Sequence, residues 1–197
     1  MNIIIKEDYN IELIPPPKLV DNIKADLNFK LLVVGNPNCE KLLMFKEYHQ
    51  EIMGLDFLSF FAIIKDKILV RLQIYDTCDK EGNLLFQEIS LIILVYNIND
   101  IKSFNDLGTW LKQIKAYVNK NARIFLIGNY VDIEKDRKIT EEEGKKFQLE
   151  TNLDLFIEIS KKTKDARIIL LKAIKLLYDD YLKKLNKFNK LNKYLNF

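Results

Sequence analysis

An apolar strand that runs directly into a glycine-to-lysine loop is the feature that most restricts how this chain can fold. Residues 31–34 are Leu-Leu-Val-Val; Gly35 follows them, and Lys41 lies six positions further on. This spacing matches the first glycine and the lysine of the phosphate-binding loop G-x-x-x-x-G-K-[ST], which joins a strand to a helix. The sequence therefore predicts a nucleotide-binding fold with this loop at the end of a strand.

Two positions of the same loop depart from that pattern. Glu40 replaces the last glycine, and Leu42 replaces the hydroxyl residue that ligates magnesium. A side chain at position 40 obstructs the approach of backbone N–H groups to phosphate, and leucine has no oxygen for magnesium. A carboxylate about 4 Å from a phosphate charge opposes binding by roughly 4 kcal/mol at an effective dielectric near 20. We expect the phosphate chemistry to be lost; the alternative is a rearranged loop that still binds weakly.

The bulk composition fits one globular domain with extensions. The chain has 197 residues, of which 48% are hydrophobic and 30% are charged, as is usual for soluble domains. A net charge of +3 is too small to indicate a nucleic-acid partner. Two cysteines, Cys39 and Cys78, are too few for a disulfide framework and fit a reducing compartment. No signal peptide is predicted, and no apolar run approaches transmembrane length.

Apolar runs alternate with helical patterns along the chain. Strands are predicted at residues 2–6, 11–14, 29–34, 55–65, 68–75, 90–96, 123–128 and 155–159. Helices are predicted at residues 43–51, 103–119, 140–149 and from 166 onwards, with Ser103 and Thr140 as N-caps. This alternation predicts an α/β fold, a mostly parallel sheet with helices on both faces, which binds ligands at the carboxyl ends of its strands.

Three segments follow from this organisation. Residues 1–28 form an N-terminal extension, residues 29–184 the α/β domain, and residues 185–197 a basic amphipathic helical extension. Pro15-Pro16-Pro17 interrupts any helix or strand ladder in the first segment. It is either a turn or a docking motif.

Seven stretches in the right order resemble the small GTPases of the Ras superfamily, closest to the Rab group. They are Gly54-Leu55-Asp56-Phe57, Leu72-Gln73-Ile74-Tyr75-Asp76-Thr77, Val95-Tyr96-Asn97-Ile98-Asn99-Asp100, Ser103-Phe104-Asn105, Trp110-Leu111, Gly128-Asn129-Tyr130-Val131-Asp132 and Glu158-Ile159-Ser160-Lys161-Lys162. The resemblance covers about residues 29–184 and implies a Ras-like P-loop GTPase domain.

The resemblance implies that the end of the site that binds phosphate and magnesium has mostly been lost. Gly35 and Lys41 correspond to the phosphate-binding glycine and lysine, and Asp76 corresponds to an aspartate of the magnesium site. With Glu40 and Leu42 beside them, we expect Gly35, Lys41 and Asp76 to be vestiges. Bound magnesium is not expected.

The two switch segments also depart from the family. Ile52 replaces a magnesium-binding threonine, Asp79 replaces the glycine that contacts the γ-phosphate, and Lys80 replaces the catalytic glutamine. A lysine cannot accept a hydrogen bond from the attacking water. Both segments are also shorter than is usual in the family. We therefore expect no catalytic residue and no GTP hydrolysis.

The base-binding end is better preserved. Asn129 and Asp132 correspond to the guanine-reading pair of Asn-Lys-x-Asp, and Ser160 and Lys161 to the loop whose backbone N–H contacts the base. Tyr130 replaces the lysine that packs over the base. These residues are either a live guanine site or loop-stabilising hydrogen bonders. We expect no cofactor, or GDP or GTP at low affinity.

The last helix continues as a basic amphipathic segment. Its apolar residues recur at three- and four-residue steps between lysines: Tyr181, Leu185, Phe188, Leu191 and Leu195, with Lys183, Lys184, Lys187, Lys190 and Lys193. The alternatives are contact with an anionic membrane, pairing with a partner helix or with itself, and packing on its own domain. The final residues contain no cysteine, so we expect no prenyl anchor.

The predicted function is that of a Rab-like pseudo-GTPase, a protein-interaction module in vesicle trafficking or signalling. Its protein partners would bind the Rab-like surface or the C-terminal helix, and no nucleic acid is expected. The predicted location is the cytoplasm or the periphery of an endomembrane. The trafficking role rests on family analogy alone. The alternatives are a divergent but genuine guanine-nucleotide switch, and nucleotide binding without switching.

Overall fold

A seven-stranded sheet organises the computed structural model, which describes residues 10–15, 24–48, 57–65, 67–76, 88–130, 136–159 and 166–195. Its strands are β1 (Ile11–Ile14), β2 (Leu27–Val34), β3 (Phe57–Ile64), β4 (Ile68–Asp76), β5 (Ile89–Asn97), β6 (Arg123–Asn129) and β7 (Leu155–Glu158). They lie in the order β1-β3-β4-β2-β5-β6-β7. The last five strands in that order pair in parallel, and β3 runs antiparallel to both of its neighbours. The predicted mostly parallel α/β fold is confirmed.

The described residues also form four α-helices and two 3-10 helices, and all of these except the last helix lie between strands. The α-helices are α1 (Ile101–Asn105), α2 (Leu107–Tyr117), α3 (Glu141–Thr151) and α4 (Ala166–Leu195); the 3-10 helices are Pro37–Cys39 and Leu43–Tyr48. α4 covers one core, and α1, α2 and α3 cover the core on the opposite side of the sheet. No helix among the described residues has the length and apolar character needed to cross a membrane.

Two helix predictions were wrong in detail. The predicted helix at residues 103–119 is two helices that meet at Asp106, and its N-cap is Asp100, whose side chain accepts a hydrogen bond from the Lys102 N–H. Ser103 is buried inside α1, where its hydroxyl bonds Asn97 and Asp100 instead. The Thr140 capping box is confirmed, with Glu143 as its partner.

β5 shows why the central strands are continuously apolar. Leu91 and Ile93 are buried in the core under α4, while Ile92 and Leu94 are buried in the core under α2. A parallel strand with a helix layer on each face has no solvent side, so alternation disappears. The apolar run at residues 90–96 was correctly predicted as such a strand.

The N-terminal extension contributes a strand to the sheet. Ile11 pairs with Ile64 of β3, and the Lys65 N–H donates to the Asn10 carbonyl over 2.8 Å. Ile11 is only 1% exposed and belongs to the core under α4. The predicted strand at residues 11–14 is confirmed, and the one at residues 2–6 lies outside the described residues. The domain boundary at residue 28 stays a prediction.

Arg123 fixes the position at which α4 leaves the sheet. Its guanidinium bonds both carboxylate oxygens of Asp180 at 2.7 and 2.8 Å, and Asp154 at 2.8 Å. The bond to Asp180 raises the pKa of Arg123 above its usual range and lowers the pKa of the Asp180 carboxyl. Because Arg123 begins β6, α4 passes the amino-terminal edge of the sheet at Asp180 and continues to Leu195.

The burial of Ile11 predicts that β1 is part of the folding unit. Ile11→Ala should lower the free energy of unfolding by about 2–4 kcal/mol, because the substitution removes buried methyl and methylene groups from the core. Urea denaturation followed by circular dichroism measures this. The control, Leu149→Ala at a 66% exposed position, should stay within about 0.5 kcal/mol. Equal, small effects of the two changes would contradict the assignment.

Candidate nucleotide-binding site

The candidate site lies where β2, β5 and β6 end. Gly35 leaves β2 with φ 151°, and a Cβ there would lie 2.3 Å from the Val95 carbonyl oxygen. Only glycine permits so close an approach of two strands. Gly35 therefore has a structural reason to be glycine, whether or not a ligand binds.

The backbone of the loop after Gly35 hydrogen-bonds to itself. The Cys39 N–H donates to the Asn36 carbonyl at 3.1 Å, and the Leu43 N–H donates to the Glu40 carbonyl at 3.0 Å. Pro37 has no N–H to offer. A phosphate cradle requires several N–H groups that point at the ligand. Positions 37 and 39 of this loop therefore offer no N–H group to a phosphate.

Glu40 has a backbone conformation that favours glycine. Its φ of 45° and ψ of 47° are left-handed, a conformation that costs about 1–2 kcal/mol for a residue with a Cβ. This position therefore combines a glycine-like backbone with a carboxylate-bearing side chain.

The segment after Lys41 is also altered. Leu42 packs at the margin of the core under α4, and Phe45 is fully buried in that core. The chain continues as the 3-10 helix Leu43–Tyr48. The predicted short helix is therefore present over residues 43–48, in the 3-10 form, and residues 49–51 lie outside the described part. Leu42 and its neighbours are placed by apolar packing, which replaces the hydroxyl and the α-helical start of an anion site.

Lys41 and Asp76 form an ion pair inside the site. Lys41 Nζ lies 3.5 Å from Asp76 Oδ1, and the side chains are 5% and 21% exposed. An ammonium group this far removed from water needs an anionic partner, and Asp76 at the end of β4 supplies it. The structure brings together these two residues, which the sequence assigned separately to phosphate and magnesium.

Asn129 joins the base side of the site to the phosphate side. It is 2% exposed; its Nδ2 donates to the Cys39 carbonyl at 2.9 Å, and its Oδ1 accepts from the Tyr130 N–H at 2.8 Å. These bonds tie the loop at Cys39 to the end of β6, and a guanine-reading role for Asn129 stays a prediction. Tyr130 is buried in the core under α2. The other predicted base contacts, Asp132, Ser160 and Lys161, lie outside the described residues and remain predictions.

Sequence reasoning missed an asparagine network that anchors the loop. Asn36 Nδ2 donates to Asp106 Oδ2 at 2.9 Å, and Trp110 Nε1 donates to Asn36 Oδ1 at 2.8 Å. Asn38 Nδ2 donates to Asp100 Oδ2 at 2.5 Å, which lowers the pKa of Asp100. These partners lie more than 60 positions away in sequence, and no local pattern points to them. They tie the loop to α1 and α2.

Cys39 is a core residue of the loop. Its side chain is fully buried, and burial raises the pKa of the thiol to about 11. The Sγ–H points to Asn38 Oδ1 at 3.8 Å. Cys39 is thus a small side chain buried in the core, and Cys78 lies outside the described residues.

Comparison with known proteins places the whole arrangement in one family. The Ras family model matches residues 30–177. Ras-related protein Rab-12 of Homo sapiens is 31% identical over 175 residues, which cover 82% of this chain and 70% of that protein. Ras-related protein Rab-3 of Caenorhabditis elegans is 27% identical over 175 residues, with 82% and 80% covered. Ras-related protein Rab-3B of Rattus norvegicus is 30% identical over 155 residues, with 72% and 70% covered.

The ion pair predicts a structural role for Lys41. Lys41→Met should lower the free energy of unfolding by about 3 kcal/mol, because it breaks an ion pair whose lysine is almost fully buried. Lys41→Met/Asp76→Leu should recover most of this loss in a double-mutant cycle. The exposed lysine change Lys146→Met is the control and should stay within about 0.5 kcal/mol. A loss for Lys41→Met no larger than that of the control would refute the role.

The burial of Cys39 predicts an unreactive thiol. In a Cys78→Ser background, labelling by a thiol reagent at pH 8 should be slow in buffer and fast in denaturant. The raised pKa leaves almost no thiolate below pH 9, and the thiolate is the nucleophile. Rapid labelling of the folded protein would contradict the buried position.

Proposed function

Because the chain belongs to the Ras family, we propose that it is a Rab-like member whose phosphate site is closed by its own residues. It then acts as a protein-interaction module and not as a GTP-hydrolysing switch. The assignment to trafficking follows the Rab relatives and is a family analogy. Its partners are proteins that recognise the Rab-like surface.

The Lys41–Asp76 ion pair carries this proposal. The lysine that would reach a phosphate is held 3.5 Å from a carboxylate and is 5% exposed. A phosphate entering beside Asp76 meets an opposing charge worth roughly 4 kcal/mol at 4 Å and an effective dielectric near 20. Leu42 supplies no oxygen for a cation that would offset this repulsion.

A magnesium-bound nucleotide does not fit the residues at this end of the site. Magnesium prefers oxygen ligands in an octahedral arrangement, and the position of the hydroxyl ligand holds Leu42, which packs at the margin of the core. A phosphate needs converging N–H groups, and Pro37 has none while the Cys39 N–H bonds Asn36. These features support the proposal that this end of the site no longer binds the phosphates of a nucleotide.

The competing function is a divergent but genuine guanine-nucleotide switch. Asn129 favours it, because this asparagine is placed at the end of β6 and bonds the loop at Cys39. Asp132, Ser160 and Lys161 are the residues that would complete guanine recognition. In that case nucleotide copurifies, and Asp132→Ala weakens its binding.

Direct titration separates the two functions. The absorbance ratio of the purified protein should show no copurified nucleotide, and fluorescent GDP and GTP should bind more weakly than about 100 μM, with or without magnesium. A repulsion of about 4 kcal/mol acting on a micromolar site gives a Kd of about 1 mM, so the 100 μM limit leaves about a tenfold margin in the assay. Magnesium-dependent binding at micromolar affinity or better would overturn the pseudo-GTPase proposal.

Restoring the loop should restore part of the binding. Glu40→Gly/Leu42→Ser removes the carboxylate and returns a hydroxyl, so we expect GDP affinity to rise at least about tenfold in magnesium. Leu149→Ser, on the exposed face of α3, is the matched control and should change nothing. If the double variant binds no better than the control, positions 40 and 42 do not limit binding.

A further inference from the structure

The second half of α4 exposes the side of the helix that its first half buries. Tyr181 and Leu185 are 38% and 39% exposed, and Phe188 and Leu191 are 59% and 52% exposed. Their steps of four, three and three residues keep them on one helix face. Ile174 lies seven residues before Tyr181 on the same face and is fully buried. This apolar face becomes exposed to solvent only where the helix extends beyond the edge of the sheet.

The exposed half of α4 is uniformly basic. Residues 181–192 contain four lysines and no acidic residue. The nearest acids on the helix are Asp179 and Asp180, and Asp180 is bound by Arg123. An occupant of this face therefore gains by bringing negative charge.

The edge of the sheet from which α4 emerges adds further cations. Lys67, which follows the β3–β4 turn, and Lys120, which precedes β6, are exposed. Three described acids that directly precede strands at this edge are already engaged. Glu88 pairs with Lys30, Asp154 pairs with Arg123, and Asp26 accepts the Leu69 N–H. The edge and the helix thus form one basic surface with an apolar stripe.

The charge of this surface and the length of its apolar stripe distinguish between a second copy, a partner helix and a lipid bilayer as the occupant. A second copy would bring the same lysines and be repelled. The coiled-coil pattern is sustained over three or four heptads, whereas α4 extends beyond Asp180 for only about two, to Leu195. An anionic bilayer needs only an apolar face that enters the interface and cations at the level of the headgroups. Tyr181 and Phe188 suit that boundary because aromatic side chains favour it.

We propose that residues 181–192 of α4 dock on an anionic lipid surface, with the basic edge of the sheet turned towards it. The loop at residues 35–42 lies at the opposite, carboxyl edge of the sheet, so it faces away from the lipid. This surface is independent of nucleotide binding, and its test does not depend on the state of the phosphate site.

Vesicle sedimentation tests the proposal on the full chain. We expect binding to vesicles of phosphatidylcholine with phosphatidylserine, little binding to phosphatidylcholine alone, and release at high salt. Lys184→Glu/Lys187→Glu/Lys190→Glu should lower the partition coefficient by at least about a hundredfold, because each lysine near such a surface contributes about fivefold. Phe188→Ser should lower it at least about tenfold.

Matched controls carry the same chemical changes elsewhere. Lys102→Glu/Lys145→Glu/Lys172→Glu alters three exposed lysines by the same net charge, and Leu149→Ser alters an exposed leucine; both should retain binding. Equal binding to neutral vesicles, or equal loss in the controls, would overturn the proposal. So would a concentration-dependent dimer in light scattering that Phe188→Ser abolishes while no vesicle binding is seen.

Discussion

The parallel pairing of β2 between β4 and β5 is the constraint on which the candidate site depends. The register sets Val33 beside Asp76 and Val34 beside Leu94. β2 therefore ends next to the last residue of β4, and the loop that follows brings Lys41 to Asp76. The close approach of Gly35 to Val95 results from the same pairing. The ion pair is thus a product of strand register and does not require a ligand to form.

The loop at the candidate site is held by contacts within the protein. Glu40 has a left-handed conformation that glycine would adopt without strain, and Asn129 bonds the loop at Cys39. Apolar packing of Leu42 and the internal hydrogen bonds of the loop determine its path.

The sequence predicted the strands well because their signal is local. The apolar runs that became β5 and β6 match their predicted bounds within about one residue, since central parallel strands are apolar on both faces. β4 matches as closely, because its buried and partly exposed residues alternate. The short helix after Lys41 was also predicted, but its 3-10 form was not, because burial of Phe45 and not helix propensity places its residues. The hydrogen bonds of Asn36 could not be predicted, because its partners Asp106 and Trp110 are brought to it only by tertiary structure. The loss of phosphate chemistry was inferred from residue types alone, and geometry added the Lys41–Asp76 pair.

The place of β1 in the sheet has a consequence for synthesis of the chain. Ile11 leaves the ribosome early, yet its partner Ile64 emerges only after the whole of β2 and the loop have been made. Until then β1 has no partner strand, and its unpaired N–H and C=O groups can pair with another chain. The chain between β1 and β3 must lose conformational entropy before the two strands can pair. We therefore expect the outer edge of this sheet to form late. The growing chain is most exposed to misassembly in that interval.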